Sequence, residues 1–286
     1  MFFRGPDDLD LINVTRNLRT LTKDELEQYA TLLQAKHLWL KSRSVEYIFV
    51  IAPNKHSIYP EHLPDHMYKI GDRSLTDELV EYVSEHTDVT ILDLRAPLLA
   101  AKSDDQLLYF PTDTHWNFFG ANIAQHEIAR AIASYFPDQI QPKLYASSEF
   151  TTTVGSGGDL AAFIDLRNEF IENYPSPKLA RCPEVMRGKQ AQLARFFTTV
   201  CDSSGLNIVV FRDSFFKWVQ PYISQYANRA TFIWKRMHLE EMKKMVAQEK
   251  PAIVIEEWAE RGLIRVPPSA PELHQQERLS ENNLTD

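Results

Sequence analysis

Cysteine is nearly absent from this chain, and the absence removes a class of function. Cys182 and Cys201 are the only two among 286 residues, and their spacing is not that of a metal-ligand set. A single disulfide and a pair of buried thiols both fit them. No apolar run approaches the roughly 18 residues that span a bilayer. The opening Met1-Phe2-Phe3 before a polar turn lacks the layout of a signal peptide. It reads as the inside of a domain, so an N-terminal anchor or signal is expected to be missing from this chain. There is no Lys/Arg cluster, and the net charge is -8. Nucleic acid is therefore a poor partner, since binding it needs concentrated positive charge to displace counterions.

What is present is ordinary globular composition, 44% hydrophobic and 24% charged, enough to bury a large core. Thr22 and Glu25 form a capping box ahead of Leu26, Tyr29, Leu33 and Leu40, which predicts a helix over 23-42. Tyr47-Ile48-Phe49-Val50-Ile51 and Val89 to Leu94 read as strands buried on both faces. Between them a helix is expected from Ser74 to His86. Asn117 can cap a third helix with Ala121, Ala124, Ile128, Ala131 and Tyr135 on one stripe. Residues 1-21 read as turns with a short strand. From 137 to 206 periodicity weakens into a long excursion, with helices expected near 159-171 and 188-199. Order returns with strands at 207-211, 231-234 and 252-256, a helix after Ser214 interrupted by Pro221, and another over 238-248.

Strands alternating with helices predict an α/β fold with a mostly parallel sheet and helices on both faces. The expected domain is a single unit over 1-266, followed by a polar, loose tail over 267-286.

The chemistry concentrates in two segments. Phe211-Arg212-Asp213-Ser214-Phe215 ends a strand and delivers a serine where the chain turns into a helix, beyond the carboxyl end of the sheet. A serine there is more often only a helix cap. Thr112-Asp113-Thr114-His115-Trp116 changes that balance. In an extended loop the Asp113 and His115 side chains point the same way, so the carboxylate can hold Nδ1-H while Nε2 faces Ser214. Asp213 is the second-ranked acid. The Ser214 backbone N-H is the oxyanion donor that can be named.

Asn54, Lys55 and Tyr59 end the first strand at the same edge and fit a carbohydrate contact. A Pro-bounded loop packed under the site explains them equally well. His56, His62, His66 and Asp65 do not match metal-ligand spacing, and no metal or other cofactor is expected. Gly155 to Gly158 has no expected strand before it and lacks the lysine of a P-loop, so a flexible loop is expected there.

These two segments, together with Ile51-Ala52-Pro53-Asn54-Lys55, Tyr59-Pro60-Glu61, Leu63-Pro64, Gly158-Asp159-Leu160-Ala161 and Ile255-Glu256-Glu257-Trp258-Ala259-Glu260-Arg261, resemble the SGNH-like domains of the periplasmic alginate O-acetyltransferases, the AlgX and AlgJ kind, and their DHHW-type relatives. The resemblance implies a flavodoxin-like, SGNH-hydrolase-like sheet in permuted order, with Asp113, His115 and Ser214 as a catalytic triad. It implies a serine-dependent O-acetyltransferase or acetylesterase of alginate or exopolysaccharide biosynthesis, periplasmic or otherwise extracytoplasmic, acting on an extracytoplasmic polysaccharide. A membrane-bound O-acyltransferase partner would supply the acetyl groups. One departure stands out, because the family's Gly-Asp-Ser block has Arg212 where glycine is usual. Arg212 either contacts substrate or marks a relative that keeps the fold as an inactive carbohydrate-binding or assembly protein.

Overall fold

A computed structural model describes residues 1-3, 10-179, 184-186, 196-201 and 205-267. Its centre is a seven-stranded sheet built from β1 (Glu46–Ala52), β2 (Thr90–Asp93), β5 (Glu184–Met186), β6 (Phe196–Val200), β7 (Asn207–Arg212), β8 (Arg229–Trp234) and β9 (Ile253–Ala259). A separate hairpin pairs β3 (Phe150–Ser156) with β4 (Ile171–Pro177). The sheet order is β2-β1-β9-β7-β8-β6-β5. The first five strands run parallel, and β6 and β5 continue antiparallel beyond β8. The last strand in sequence thus sits between the first and β7, which places the ends of β1, β9 and β7 side by side. The expected mostly parallel α/β sheet is what the chain builds.

Alternate residues of each central strand feed two cores, as a pleated strand requires. Ile48, Val50, Ile208, Val210 and Ile255 pack under the helix Phe118–Tyr135. Tyr47, Phe49, Val209, Phe211 and Val254 pack with helices Lys23–Lys41, Leu75–His86 and Leu239–Glu249 on the other face. Both faces are covered, so these strands carry near-continuous apolar runs. The expected Thr22–Glu25 capping box is formed, and Ser74 makes a second one with Asp77. Asn117 caps its helix through the Phe119 and Gly120 N-H groups.

Some expectations fail for identifiable reasons. β2 is an edge strand and only half buried. The N-terminal stretch contains a short helix, Leu11–Thr15, where a strand was expected. The helix expected over 159-171 is only Asp159–Phe163, because the chain turns there to form β4. A strand, β3, does precede Gly157-Gly158. Phe196 to Thr199, expected as the end of a helix, is β6, held by ladder pairing to β8. The rest of that expected helix, from 188 to 195, lies outside the described residues, as does the tail beyond Pro267. Cys201 is disulfide-bonded, and Cys182 lies outside the described residues. The segment after Ser214 is two single-turn 3₁₀ pieces around the short helix Gln220–Ile223. No helix among the described residues is long and apolar enough to cross a membrane.

Candidate active site

The site is assembled at the carboxyl edge of the parallel strands. β7 ends at Arg212, and Ser214 caps the 3₁₀ turn Phe215–Trp218. Asp213 fixes this turn: its Oδ1 accepts the Phe215 N-H at 2.8 Å and its Oδ2 accepts the Ala259 N-H at the end of β9 at 2.7 Å. Asp213 is therefore a structural clamp on the serine turn. The Ser214 N-H has no acceptor among the described residues, so it is open to a developing oxyanion.

The second segment is a closed loop. Tyr109 and Trp116 bridge, Phe110 N-H donates to the His115 carbonyl at 3.2 Å, and Asn117 N-H donates to the Leu108 carbonyl at 2.9 Å. Inside it the backbone is a tight turn and not the extended loop expected. Asp113 Oδ1 accepts the His115 backbone N-H at 2.9 Å and lies 2.6 Å from His115 Nδ1. His115 Nε2 lies 2.8 Å from Ser214 Oγ. With the proton on Nδ1, the imidazole donates to Asp113 and accepts from the serine hydroxyl, the arrangement general-base activation needs. Burial by itself would raise the Asp113 carboxyl. The hydrogen bond and charge of His115, with backbone donors from His115 and Asp159, outweigh it and hold the carboxyl at about 2.

Two segments buttress this loop. The helix Asp159–Phe163 aims its first N-H groups at it. Asp159 N-H donates to Asp113 Oδ2 at 3.0 Å, and Leu160 and Ala161 donate to the Thr112 carbonyl at 3.0 and 3.2 Å. The Asp159 carboxylate accepts from Thr114 N-H and Oγ1-H at 2.7 and 2.6 Å. Gly158 must be glycine, since a Cβ there would lie 2.4 Å from Asp113 Cβ. From the hairpin, the buried Glu172 on β4 accepts from Thr112 N-H and Oγ1-H at 2.9 and 2.6 Å. Finally, Trp116 Nε1-H donates to the Phe215 carbonyl at 2.9 Å, tying the histidine loop directly to the serine turn.

Asp113, His115 and Asp159 are the described residues whose ligand atoms cluster within 4.8 Å of one another. Their atoms are already engaged with one another, with Thr114 and with Ser214.

The four residues expected to touch substrate lie elsewhere in the network. Lys55 Nζ donates to the carbonyls of Phe110, Pro111 and Asp113 at 2.7, 2.8 and 3.2 Å. It staples the histidine loop, with its ammonium lowered to about 8 by burial against the opposing pull of Glu172, Asp113 and Asp159. The buried Tyr59 hydroxyl accepts the Leu108 N-H. Asn54 is buried, and its backbone N-H donates to Glu260 Oε2 at 2.9 Å. Arg212 is buried with its guanidinium 4.5 Å over the Trp234 ring, and Nη1 donates to the Asp213 carbonyl at 3.0 Å. With the Gln220 amide oxygen turned toward it, Nε and Nη2 donate there at 2.8 and 3.0 Å. Burial lowers Arg212 to about 10, against the opposing charges of Glu257 and Asp213. Arginine in place of the usual glycine is thus accommodated by packing beside the serine turn.

Sequence reasoning missed the supports. Asp159 stood inside the quoted Gly158-Asp159-Leu160-Ala161, but nothing tied it to Asp113. Glu172 carried no signal, because its role depends on the hairpin.

Comparison with known proteins agrees with this architecture. Residues 14–260 match the family model described as the SGNH hydrolase-like domain of acetyltransferase AlgX. A protein named "Probable alginate O-acetylase AlgJ" from Pseudomonas syringae pv. tomato is 30% identical over 146 residues, which are 51% of this chain and 37% of that protein. The protein of the same name from Azotobacter vinelandii is 28% identical over 149 residues, again 51% and 37%. The matched part is therefore little more than a third of these curated relatives. Among solved structures, Bacillus cereus PatB1 superposes with a TM-score of 0.64 at 17% identity, over 87% of this chain and 94% of that one. The O-acetyltransferase domain of Pseudomonas putida AlgJ gives 0.55 at 18% identity, over 96% and 92%. At such identities these two show a shared fold.

Proposed function

This chain belongs to the family of AlgX-type SGNH hydrolase-like acetyltransferase domains, and from that premise we propose that it is a serine-dependent O-acetyltransferase acting on an alginate-like polysaccharide through an acetyl-enzyme on Ser214. The observation that carries the reading is the 2.8 Å approach of His115 Nε2 to Ser214 Oγ, with Asp113 behind the ring.

In this reading Ser214 Oγ attacks the acetyl carbonyl while its proton passes to His115 Nε2. Asp113 stays ionised, fixes the tautomer and stabilises the imidazolium. The Ser214 N-H receives the oxyanion. The tetrahedral intermediate collapses, the bond to the donor oxygen breaks, and His115 protonates that leaving group. A sugar hydroxyl then gives its proton to Nε2 and attacks the acetyl-serine. Collapse releases the acetylated sugar and returns the proton to Ser214 Oγ. Water in place of the sugar gives esterase turnover. The AlgJ relatives' names support alginate as the acceptor; a periplasmic setting and a membrane-bound O-acyltransferase as acetyl source are part of the same proposal. The reading of an inactive carbohydrate-binding relative rested on Arg212, and loses that support because the side chain is packed against Trp234.

The test is turnover of a chromogenic acetyl ester, with and without oligomannuronate as acceptor. Ser214→Ala or His115→Ala should lower kcat by on the order of 10⁴-fold or more, and an acetyl group on Ser214 should be trapped by mass spectrometry in the wild type. Equal rates for wild type and Ser214→Ala with no adduct would sink the proposal.

A further inference from the structure

A second cavity opens at the same carboxyl edge, above the ends of β1 and β2. Its volume is about 330 Å³, at the lower end of the ~300–1,000 Å³ range typical of small-ligand pockets. Val14, Leu75 and Leu99 give it an apolar side. Most of its charged groups are consumed internally. Arg95 is paired with Asp93 and Asp77, and Glu260 accepts from Ser57, Thr76 and the Asn54 N-H.

Two groups are not consumed. His56 is only 8% exposed and lines the cavity, yet its ring nitrogens have no hydrogen-bond partner among the described residues. Its nitrogens open onto the cavity, where a ligand can meet them. Burial lowers its imidazole to about 4, against the pull of Glu260, so at neutral pH it offers one donor and one acceptor. Lys69 stands at the rim with no ion pair or hydrogen bond among the described residues. Its position is built in. Ile70 and Gly71 N-H donate to the Arg16 carbonyl at 2.8 and 3.2 Å, and Asn17 Nδ2 donates to the Gly71 carbonyl at 2.9 Å. A Cβ at Gly71 would lie 2.1 Å from the Asn17 carbonyl oxygen.

An unpaired ammonium, a neutral imidazole and an apolar wall fit one carboxylated sugar ring. Lys69 faces the carboxylate, His56 exchanges hydrogen bonds with a ring hydroxyl, and the aliphatic side takes the C-H face. Ser214 lies beyond β7, two strands across from β1, so the cavity is offset by roughly 10–15 Å at ~4.8 Å per strand. That is too far for the sugar being acetylated. We propose that this cavity is a subsite for a uronate residue of the acceptor polymer, set apart from the residue that meets Ser214. The inference rests on the polysaccharide reading above and specifies where the polymer is gripped.

The direct test is calorimetric binding to Ser214→Ala protein, with mannuronate tetrasaccharide, free mannuronate and neutral cellotetraose as probes. The tetrasaccharide should bind more tightly than free mannuronate, and cellotetraose should bind weakly or not at all. Lys69→Glu, an exposed change that spares the core, should weaken the tetrasaccharide on the order of tenfold. His56→Gln should also weaken it, while the same charge change at Lys244, on the exposed side of the helix Leu239–Glu249, should not. Unchanged tetrasaccharide affinity in Lys69→Glu, or equal weakening in Lys244→Glu, overturns the subsite. Failure of the chromogenic-ester test with the binding pattern intact would overturn the acetyl-transfer reading and leave the subsite standing.

Discussion

Glu256 and Glu257 are consecutive residues of β9, both buried, and they face opposite sides of the sheet with opposite consequences. Glu256 points among the helices of one core, where Lys36 Nζ donates to it at 2.7 and 2.9 Å, Tyr47 O-H at 2.7 Å and Trp258 Nε1-H at 3.0 Å. Glu257 points to the other side, near the serine turn. There Oε2 accepts the Asp213 N-H at 2.9 Å and Oε1 has no partner. Burial first, and the neighbouring Asp213 carboxylate second, push Glu257 well above the ordinary carboxyl range, which favours the neutral acid. The pleat decides which neighbours a carboxylate meets, and the neighbours decide its charge. Asp113 is intermediate: it is only half-buried, and it is given enough donors to stay ionised.

The largest effect should come from breaking the compensated side. Lys36→Met leaves Glu256 as a buried unpaired charge, and denaturant unfolding should report a loss of about 3–5 kcal/mol. Turnover of the chromogenic ester per folded molecule should be unchanged. If stability holds, the Lys36–Glu256 pair does not support the fold and the contrast with Glu257 collapses.

A smaller effect belongs to Asp113. Its carboxyl is depressed from 3.8 to about 2, so its contribution to stability is complete above pH 4 and is lost as pH falls from 4 toward 2. That contribution is on the order of 2 kcal/mol. Asp113→Asn should flatten the stability profile in that window, as measured by unfolding at a series of pH values.

The smallest effect is expected at Glu257. Because the native state already holds the neutral form, Glu257→Gln should change stability by less than about 0.5 kcal/mol near pH 4. A raised carboxyl loses stability as pH climbs, so the variant should gain on the wild type progressively above pH 4.5. A variant that loses ground as pH rises would mean that Glu257 is ionised in the fold.

The legible and illegible parts divide along the same physical lines. β1, β7 and the first half of β9 announced themselves because burial on both faces demands apolar runs. The proposed nucleophile and base, Ser214 and His115, stood out because their residue types converge at strand ends, and the sequence motifs carried the family. The hairpin was hidden: β3 is Thr-rich and mostly exposed, and β4 includes Pro175 and Pro177, which argue against a strand except at an edge. Which edge residues meet substrate was not legible, because position at the sheet edge says nothing about whether a polar atom is already taken. Lys55 and Tyr59 spend their polar atoms on backbone groups of the histidine loop. The cavity with His56 and Lys69 was invisible for another reason, since its walls come from six separate segments of chain.

The Trp116 to Phe215 hydrogen bond has a kinetic meaning beyond its geometry. His115 and Ser214 are 99 residues apart in sequence, and in the proposed mechanism two independently moving loops would have to find each other in every catalytic cycle. With the indole fastened to the residue after Ser214, that search is completed once, when the chain folds. Each reaction then begins from an aligned pair, with its ordering entropy already removed from the barrier.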